Sequence, residues 1–288
     1  MEDYPQIDLS LWHQTGQGGN GRTYENPSEP DVILKINKPR LSTLKAVKRE
    51  FEVSKAVEGL GLPTPKMHEI VRVGDVYATI SQRIKNKTSL SRICCDSPGR
   101  TGEMARLLCE NGRILFGTRC RTDFFPSRKE QLARALDKVQ FIGKKGRQML
   151  KAFAGTIREA ETCIHGDFNM GNLILADGRP FWIDLDRFGH GDPMFDIGHL
   201  FLICNIYAPM KQVQDIFHMS EGQLNSFWDA FAKAYTGKEE HAGFDCEAGK
   251  FAALDIALRY EFQAPSLPEK VFFAIHIRRL VKSYYSAQ

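Results

Sequence analysis

No run of about 18 apolar residues occurs in the sequence, so a membrane-spanning helix is excluded. The opening Met1-Glu2-Asp3-Tyr4-Pro5 has neither the basic start nor the apolar stretch of a signal peptide, and none is expected. The seven cysteines are an odd number, widely scattered, with one adjacent pair (Cys94-Cys95) and no CxxC. That pattern argues against a disulfide framework or a structural zinc, and for reduced thiols in a cytoplasmic protein. An excess of one charge is also missing. With 39 Lys+Arg against 35 Asp+Glu, the net charge of +4 is too small and dispersed for a nucleic-acid-binding stripe. Internal repeats and low-complexity tracts are absent too.

What remains is a chain of 288 residues, 42% hydrophobic and 26% charged, as a globular protein should be. That length lies near the point where one core gives way to two lobes. The first hundred residues predict strands and one helix. Val32 to Ile36 is a β-branched run suited to a strand, and Ser42 to Glu58 predicts a helix with Ser42 as N-cap and Gly59 just past its end. Glu69 to Val73 and Val76 to Gln82 predict a hairpin about Gly74-Asp75. A turn-rich Ser97 to Thr101 follows, so the lobe boundary is expected near residues 85–100. Beyond it the pattern is helical: Thr101–Phe116, Arg128–Phe141, Lys144–Glu159, then Pro193 to the end, with a capping box at Ser220-x-x-Gln223. One short insertion of strand character, Asn172 to Asp184, interrupts the helices. A strand-rich lobe followed by a helix-rich lobe is an α+β layout, with domains expected at 1–90 and 91–288.

The densest chemistry is in Cys163-Ile164-His165-Gly166-Asp167-Phe168-Asn169-Met170-Gly171-Asn172, followed by Ile183-Asp184. Asp177-Gly178 is a two-residue hairpin turn, and pairing about it sets Asn172 opposite Ile183. Asn172 and Asp184 are thereby expected side by side, with Asp167 in the preceding loop. Such a set of oxygens suits Mg²⁺ carrying phosphates.

The HGDxxxxN run from His165 to Asn172 resembles the catalytic loop of the aminoglycoside phosphotransferase and choline kinase-like superfamily, whose fold is similar to the protein kinases. The resemblance implies a bilobal kinase-like fold, with an antiparallel sheet plus one helix in the N-lobe and a mostly helical C-lobe. It also implies transfer of the γ-phosphate of ATP, with GTP as the other candidate nucleotide, to a hydroxyl of a small molecule such as a sugar, aminoglycoside or amino alcohol. By resemblance Asp167 orients the acceptor hydroxyl and takes its proton, Asn172 and Asp184 ligate Mg²⁺, and His165 braces the loop. Gly191-Asp192-Pro193-Met194-Phe195-Asp196 fits the GDPxxD segment that often follows in this family.

Asp196 also has a physical argument of its own. It lies on a helix that is apolar almost all round, where a carboxylate needs hydrogen-bond donors, and the backbone of the catalytic loop is the obvious source. A structural role is expected for it.

In the N-terminal part, Gly16, Gly18 and Gly21 form a GxGxxG followed by a strand rather than a helix. That context suits a loop covering phosphates with its backbone N–H groups, not a dinucleotide-binding fold. Lys35 lies in the strand Val32–Ile36, and its expected partner follows from helix periodicity. Ala46, Glu50, Val53 and Val57 share one stripe of the following helix, so Glu50 is an acid on an apolar face that needs a cation. Glu52 falls among lysines on the solvated face. Lys35–Glu50 is then the pair that aims the nucleotide phosphates. The hinge is expected near Ser81 to Lys85.

Two other readings stand beside this one: a metal-dependent phosphoesterase built on His165, Asp167, Asp184, His190 and His199, and a non-catalytic nucleotide-binding module. The acids Glu239, Glu240, Asp245, Glu247 and Glu261 either line a cleft for a cationic acceptor or form a solvated face. Trp228, Tyr235, Tyr260 and Phe262 either stack on the acceptor or belong to the core. Neither a nucleic-acid nor a membrane partner is expected.

Overall fold

The structure is a computed structural model and describes residues 4–17, 21–139, 142–262 and 265–285. Strands β1 (His13–Gln17), β2 (Gly21–Asn26) and β3 (Glu29–Asn37) precede helix α1 (Leu44–Gly59). Strands β4 (Met67–Val73), β5 (Val76–Gln82) and β6 (Lys87–Ser89) follow, then helices α2 (Leu90–Asp96), α3 (Thr101–Gly117), α4 (Arg128–Lys138) and α5 (Gly143–Thr156). Next come four short strands, β7 (Cys163–Ile164), β8 (Leu173–Ala176), β9 (Arg179–Trp182) and β10 (Gly189–His190). The chain finishes with α6 (Met194–Phe201), α7 (Lys211–Phe217), α8 (Glu221–Thr236), α9 (Ala242–Phe262) and α10 (Leu267–Tyr284). It divides into two compact units, Met1–Thr88 with Ile174–Asp186, and Ser89–Leu173 with Arg187–Gln288.

The first unit is a five-stranded antiparallel sheet, in the order β1-β2-β3-β5-β4, with α1 packed on β4 and β5. Alternation along β3 decides what each side chain meets. Leu34 is buried with Trp12, Val71, Ala78 and Ile80, and Val32 and Ile36 pack against the same cluster. Ile33 and Lys35 take the opposite face and line a cavity with Glu50 of α1. The β4–β5 hairpin turns at Gly74-Asp75 with Val73 opposite Val76, as its sequence predicts.

Ser42 does not cap α1. Thr43 does, accepting from the backbone N–H of Ala46 at 3.3 Å. Ser42 is buried instead, and its hydroxyl donates to the carbonyls of Asn37 and Lys38. Either hydroxyl suits an N-cap, and the path of the chain leaving β3 decided between them.

Strands β8 and β9 belong to this unit, although they lie far along the sequence. Asp177 and Gly178 both have positive φ, 49° and 77°, as a hairpin turn with left-handed residues requires. Ile174 and Ala176 pack on Ile84 with Phe181 and Ile183, and the Trp182 N–H donates to the Pro63 carbonyl at 2.8 Å.

The second unit is mostly helical. α3 packs on α8, while α4, α6 and α10 pack on α9. Helix α4 stops at Lys138, where Val139 turns to extended backbone; Phe141, its expected end, lies outside the described residues. Helix α5 stops at Thr156, short of Glu159, for the same reason at Ile157. The Ser220–Gln223 capping box forms at the start of α8. Helix α6 is buried from Phe195 through Phe201. It crosses α9 at Gly198, where an added Cβ would sit 2.5 Å from the Cβ of Phe251 and 2.9 Å from the Ala252 nitrogen. Among the described residues no helix is long and apolar enough to cross a membrane.

That crossing yields a first prediction. Gly198→Ala overpacks a contact of backbone on backbone, and such changes destabilise by about 1–3 kcal/mol. Scanning calorimetry should show the melting temperature falling by about 3–10 °C; an unchanged value would mean that α6 and α9 have room to separate.

Candidate active site

In the first unit, a cavity of about 210 Å³ is lined by Lys35, Glu50, Thr64, Gln82, Asp184 and Asp186, among others. Lys35 Nζ meets Glu50 Oε1 at 2.7 Å, and Glu50 Oε2 accepts from Asn37 Nδ2 at 2.7 Å. Burial opposes the charge of Lys35, but Glu50 outweighs it, helped by Asp184 and Asp186, and holds the ammonium above the usual lysine range. Lys35 therefore stays charged at neutral pH, with a fixed direction. Asp184 follows β9 in the left-handed region, φ 58°. Aspartate tolerates that conformation better than most residues. Ser81, Gln82 and Ile84, from the expected hinge, line the same cavity. Beside them, Arg83 is tied to the start of β3 by a bond from its backbone N–H to the Asp31 carbonyl. Gly16 stands opposite Thr23, and Gly21 opposite Asn37, in the β1–β2–β3 pairing. Gly18 lies outside the described residues.

In the second unit, the loop after β7 carries His165, Asp167, Asn169 and Asn172. Asp196 of α6 is fully buried and accepts from the backbone N–H of His165 at 2.6 Å and of Gly166 at 2.7 Å. Burial pushes the Asp196 carboxyl above the usual range, and His165, these two backbone N–H groups and Arg128 oppose that shift. Gly166 has φ 79°, and a Cβ there would overlap the Arg128 guanidinium and the Arg187 carbonyl. Those two groups are bonded to each other, Arg128 Nη2 donating to the Arg187 carbonyl at 2.6 Å. Burial lowers the Arg128 guanidinium to about 10, so it still carries its charge, and the guanidinium lies over the ring of Phe262.

Both oxygens of Asp167 are engaged. Oδ2 accepts from Asn172 Nδ2 at 3.0 Å, and the same amide donates to the Asp167 carbonyl at 2.8 Å. Oδ1 meets His199 Nε2 at 3.0 Å and Arg187 Nη1 at 3.9 Å. The other ring nitrogen of His199 meets Asp255 Oδ2 at 2.9 Å, and Arg259 stands 3.5 Å from that same oxygen. Burial favours a neutral Asp167, but the hydrogen bond and charge of His199, with Arg187 and His165, reverse this and hold the carboxyl well below the carboxylate range. Burial likewise opposes a charged His199, and Asp255 and Asp167 overcome it, raising the ring to about 9.

Thus Lys35, Glu50 and Asp184 share one cavity in the first unit, and His165, Asp167, Asn172 and Asp196 form one loop assembly in the second. Sequence reasoning assigned no role to Asp186 and overlooked Asp255. It placed His199 only in the phosphoesterase set. Among the described residues no group of three or more His, Cys, Asp or Glu side chains is arranged to hold a metal by itself. His190, another member of that set, bonds the Ala160 carbonyl through Nδ1.

Of the acids considered for a cationic acceptor, Glu261 is occupied by Arg134 and Lys138, Asp245 accepts from Trp228 Nε1, and Glu239 pairs with Lys233. Glu240 and Glu247 are exposed. Trp228 and Tyr260 are buried in the core.

The fold is kinase-like, and the family to which the chain belongs makes it a phosphotransferase of small molecules. The profile of the phosphotransferase enzyme family matches residues 15–235, and the chain belongs to that family. Among solved structures, the chain is similar to a thermostable mutant of aminoglycoside phosphotransferase APH(4)-Ia in ternary complex with AMP-PNP and hygromycin B. That pair shares 12% identity over 96% of this chain and 95% of the other, with a TM-score of 0.63. The amicoumacin kinase hAmiN, in complex with AMP-PNP, Ca²⁺ and Ami, is 14% identical over 99% and 92% of the two chains, with a TM-score of 0.59. A choline/ethanolamine kinase family protein from Mesorhizobium loti is 15% identical over 96% and 88%, with a TM-score of 0.57. No protein of curated function matches the chain in sequence.

The buried histidine gives a pH prediction. His199 binds its proton more tightly when folded, about 9, than at the ordinary 6.5. Its stabilisation is therefore complete below pH 6.5 and is lost as pH rises through about 9. Wild type should lose on the order of 3 kcal/mol relative to His199→Gln over that range. Denaturant unfolding at both ends of the range measures this, and parallel pH curves for the two proteins would refute it.

Proposed function

We propose that the protein transfers the γ-phosphoryl group of ATP, with GTP as the other candidate, to a hydroxyl of a sugar, aminoglycoside or amino alcohol, with Mg²⁺ assisting. The observation that carries this reading is the Lys35–Glu50 pair at 2.7 Å in a cavity that also holds Asp184. Glu50 fixes the ammonium so that its remaining N–H groups face the α- and β-phosphates, while Gly16 and Gly21 offer backbone N–H groups. Similar proteins crystallised with AMP-PNP support the choice of nucleotide.

The donor set fits a hard divalent cation. Asn172 commits its amide N–H groups to Asp167, which leaves its carbonyl oxygen as a ligand, and Asp184 supplies a carboxylate. Asn172 and Asp184 would hold Mg²⁺ with the nucleotide, and the ion would supply neutralisation of charge on the phosphates.

Asp167 is the residue that receives the acceptor. Held ionised at neutral pH, its carboxylate accepts a hydrogen bond from the substrate hydroxyl, aligns that oxygen, and takes the proton as the new O–P bond forms. Asp196 and His165 are structural: Asp196 ties down the backbone from which Asp167 projects. The seven free cysteines fit an enzyme of a reducing cytoplasm.

The test is a coupled assay of ATP turnover against panels of sugars, aminoglycosides, amino alcohols and nucleosides, with Asp167→Asn as the blank. Asparagine keeps the shape of the site, so nucleotide-dependent thermal stabilisation should persist while transfer falls by about a thousandfold or more. Turnover retained in this variant would remove Asp167 from its role. Lys35→Ala should instead weaken ATP binding, raising KM for ATP about tenfold or more, seen in the same assay as a shift of the ATP titration.

A further inference from the structure

The assembly behind Asp167 contains a device that the reaction as proposed does not use. His199 is buried, with carboxylate oxygens 3.0 and 2.9 Å from its two ring nitrogens. A neutral imidazole has one donor nitrogen and one acceptor. With a carboxylate facing each nitrogen, the ring is held as an imidazolium: Nδ1 is hydrogen-bonded to Asp255, while Nε2 faces Asp167 as an ion pair at 3.0 Å rather than through a well-aligned hydrogen bond. Two helices build this clamp. His199 lies one turn beyond Asp196 on α6 and faces the same loop, while Asp255 comes from the middle of α9. The Gly198 crossing brings those helices into backbone contact beside it. Asp255 sits in an otherwise apolar stretch, Ala252 to Leu258, with Arg259 one turn on.

We infer that His199, aimed by Asp255, is a positioning residue for phosphoryl transfer: it fixes Oδ1 of Asp167, so that with Asn172 on Oδ2 the carboxylate cannot rotate away from the acceptor hydroxyl. This rests on the role given to Asp167 above. A buried cation anchored through its other nitrogen keeps its place beside Oδ1 better than any group from solvent, and orientation is the main service this carboxylate performs.

The experiment uses the full chain, Mg·ATP, and the acceptor that the panel identifies, or water where ATP hydrolysis is the reaction observed. In His199→Gln the new amide cannot satisfy both neighbours, because its oxygen faces Asp255. The expected result is a kcat lower by about thirtyfold with KM for ATP within about twofold. In His199→Gln/Asp255→Asn the chain is rebuilt without charge: the introduced asparagine donates to the oxygen of the introduced glutamine, whose own amide N–H donates to Asp167. That double variant should recover about tenfold in kcat over the single one.

A purely structural role makes kcat follow the melting temperature, whereas positioning makes it follow the hydrogen-bond chain even where the melting temperature does not recover. If His199→Gln does not fold, the double variant is compared with wild type, and a kcat below about one-hundredth of wild type in a folded protein overturns the inference. So does a single variant with full kcat, or a folded double variant no better than the single. Asp167→Asn in parallel separates the two claims. Turnover there removes the role of Asp167, while its loss beside an unimpaired His199→Gln removes only the clamp.

Discussion

A single carboxylate organises the second unit. Asp196 is a buried acid on a helix whose other positions are largely apolar, and it survives there because two backbone N–H groups, of His165 and Gly166, point at its oxygens. Left without them, an ionised carboxylate in that setting would cost several kcal/mol or would not ionise at all. The dependence is mutual. The loop has no regular partner for those N–H groups, and Asp196 holds the chain in the tight path through Gly166 that Arg128 and the Arg187 carbonyl enclose. Once the loop is held, Asp167 has a fixed origin, and the next turn of the same helix supplies His199 to fix its side chain.

Charge in this unit is arranged as alternation. Arg128, Asp196, His199 and Asp255 are buried, Asp167 and Arg259 are half-buried, and the described contacts give each a partner of opposite sign or a backbone dipole. Such networks are weak evidence of stability, since apolar replacements often do as well. They are better understood here as a constraint on direction. A carboxylate with both oxygens engaged is restrained in direction, and so is a lysine with its glutamate at 2.7 Å. The first unit uses the same principle with fewer parts, because Glu50 is itself anchored by Asn37.

Several parts of this arrangement were legible in the residues. Lys35 and Glu50 could be paired because a strand alternates and a helix repeats every 3.6 residues, so each face could be assigned without coordinates. Asp196 could be given backbone donors because an acid on an apolar helix has few alternatives. The same logic applied to Asp255, isolated among Ala252, Ala253, Leu254, Ile256, Ala257 and Leu258, would have marked it as needing a cation. It could not have said which one, since His199 is 56 residues away. The N-cap of α1 shows a smaller limit. Ser42 and Thr43 are equally good cap residues, and only the route of the chain from β3 assigned the first to the carbonyls of Asn37 and Lys38.

By itself, then, the sequence determined the class of fold and which local element carries each candidate residue. Periodicity, turn residues and the HGDxxxxN spacing are local properties, and they act before any long-range contact forms. Only the tertiary structure decided that the β8–β9 hairpin joins the first unit, and with it that Asp184 shares a cavity with Lys35. It alone decided that α6 and α9 cross at Gly198 and so put His199 between Asp167 and Asp255. The physical reason is the same in both cases. Contacts between segments distant in sequence are selected by close packing of whole surfaces, where one missing Cβ can set the distance, and no local pattern encodes which surface a buried charge will meet.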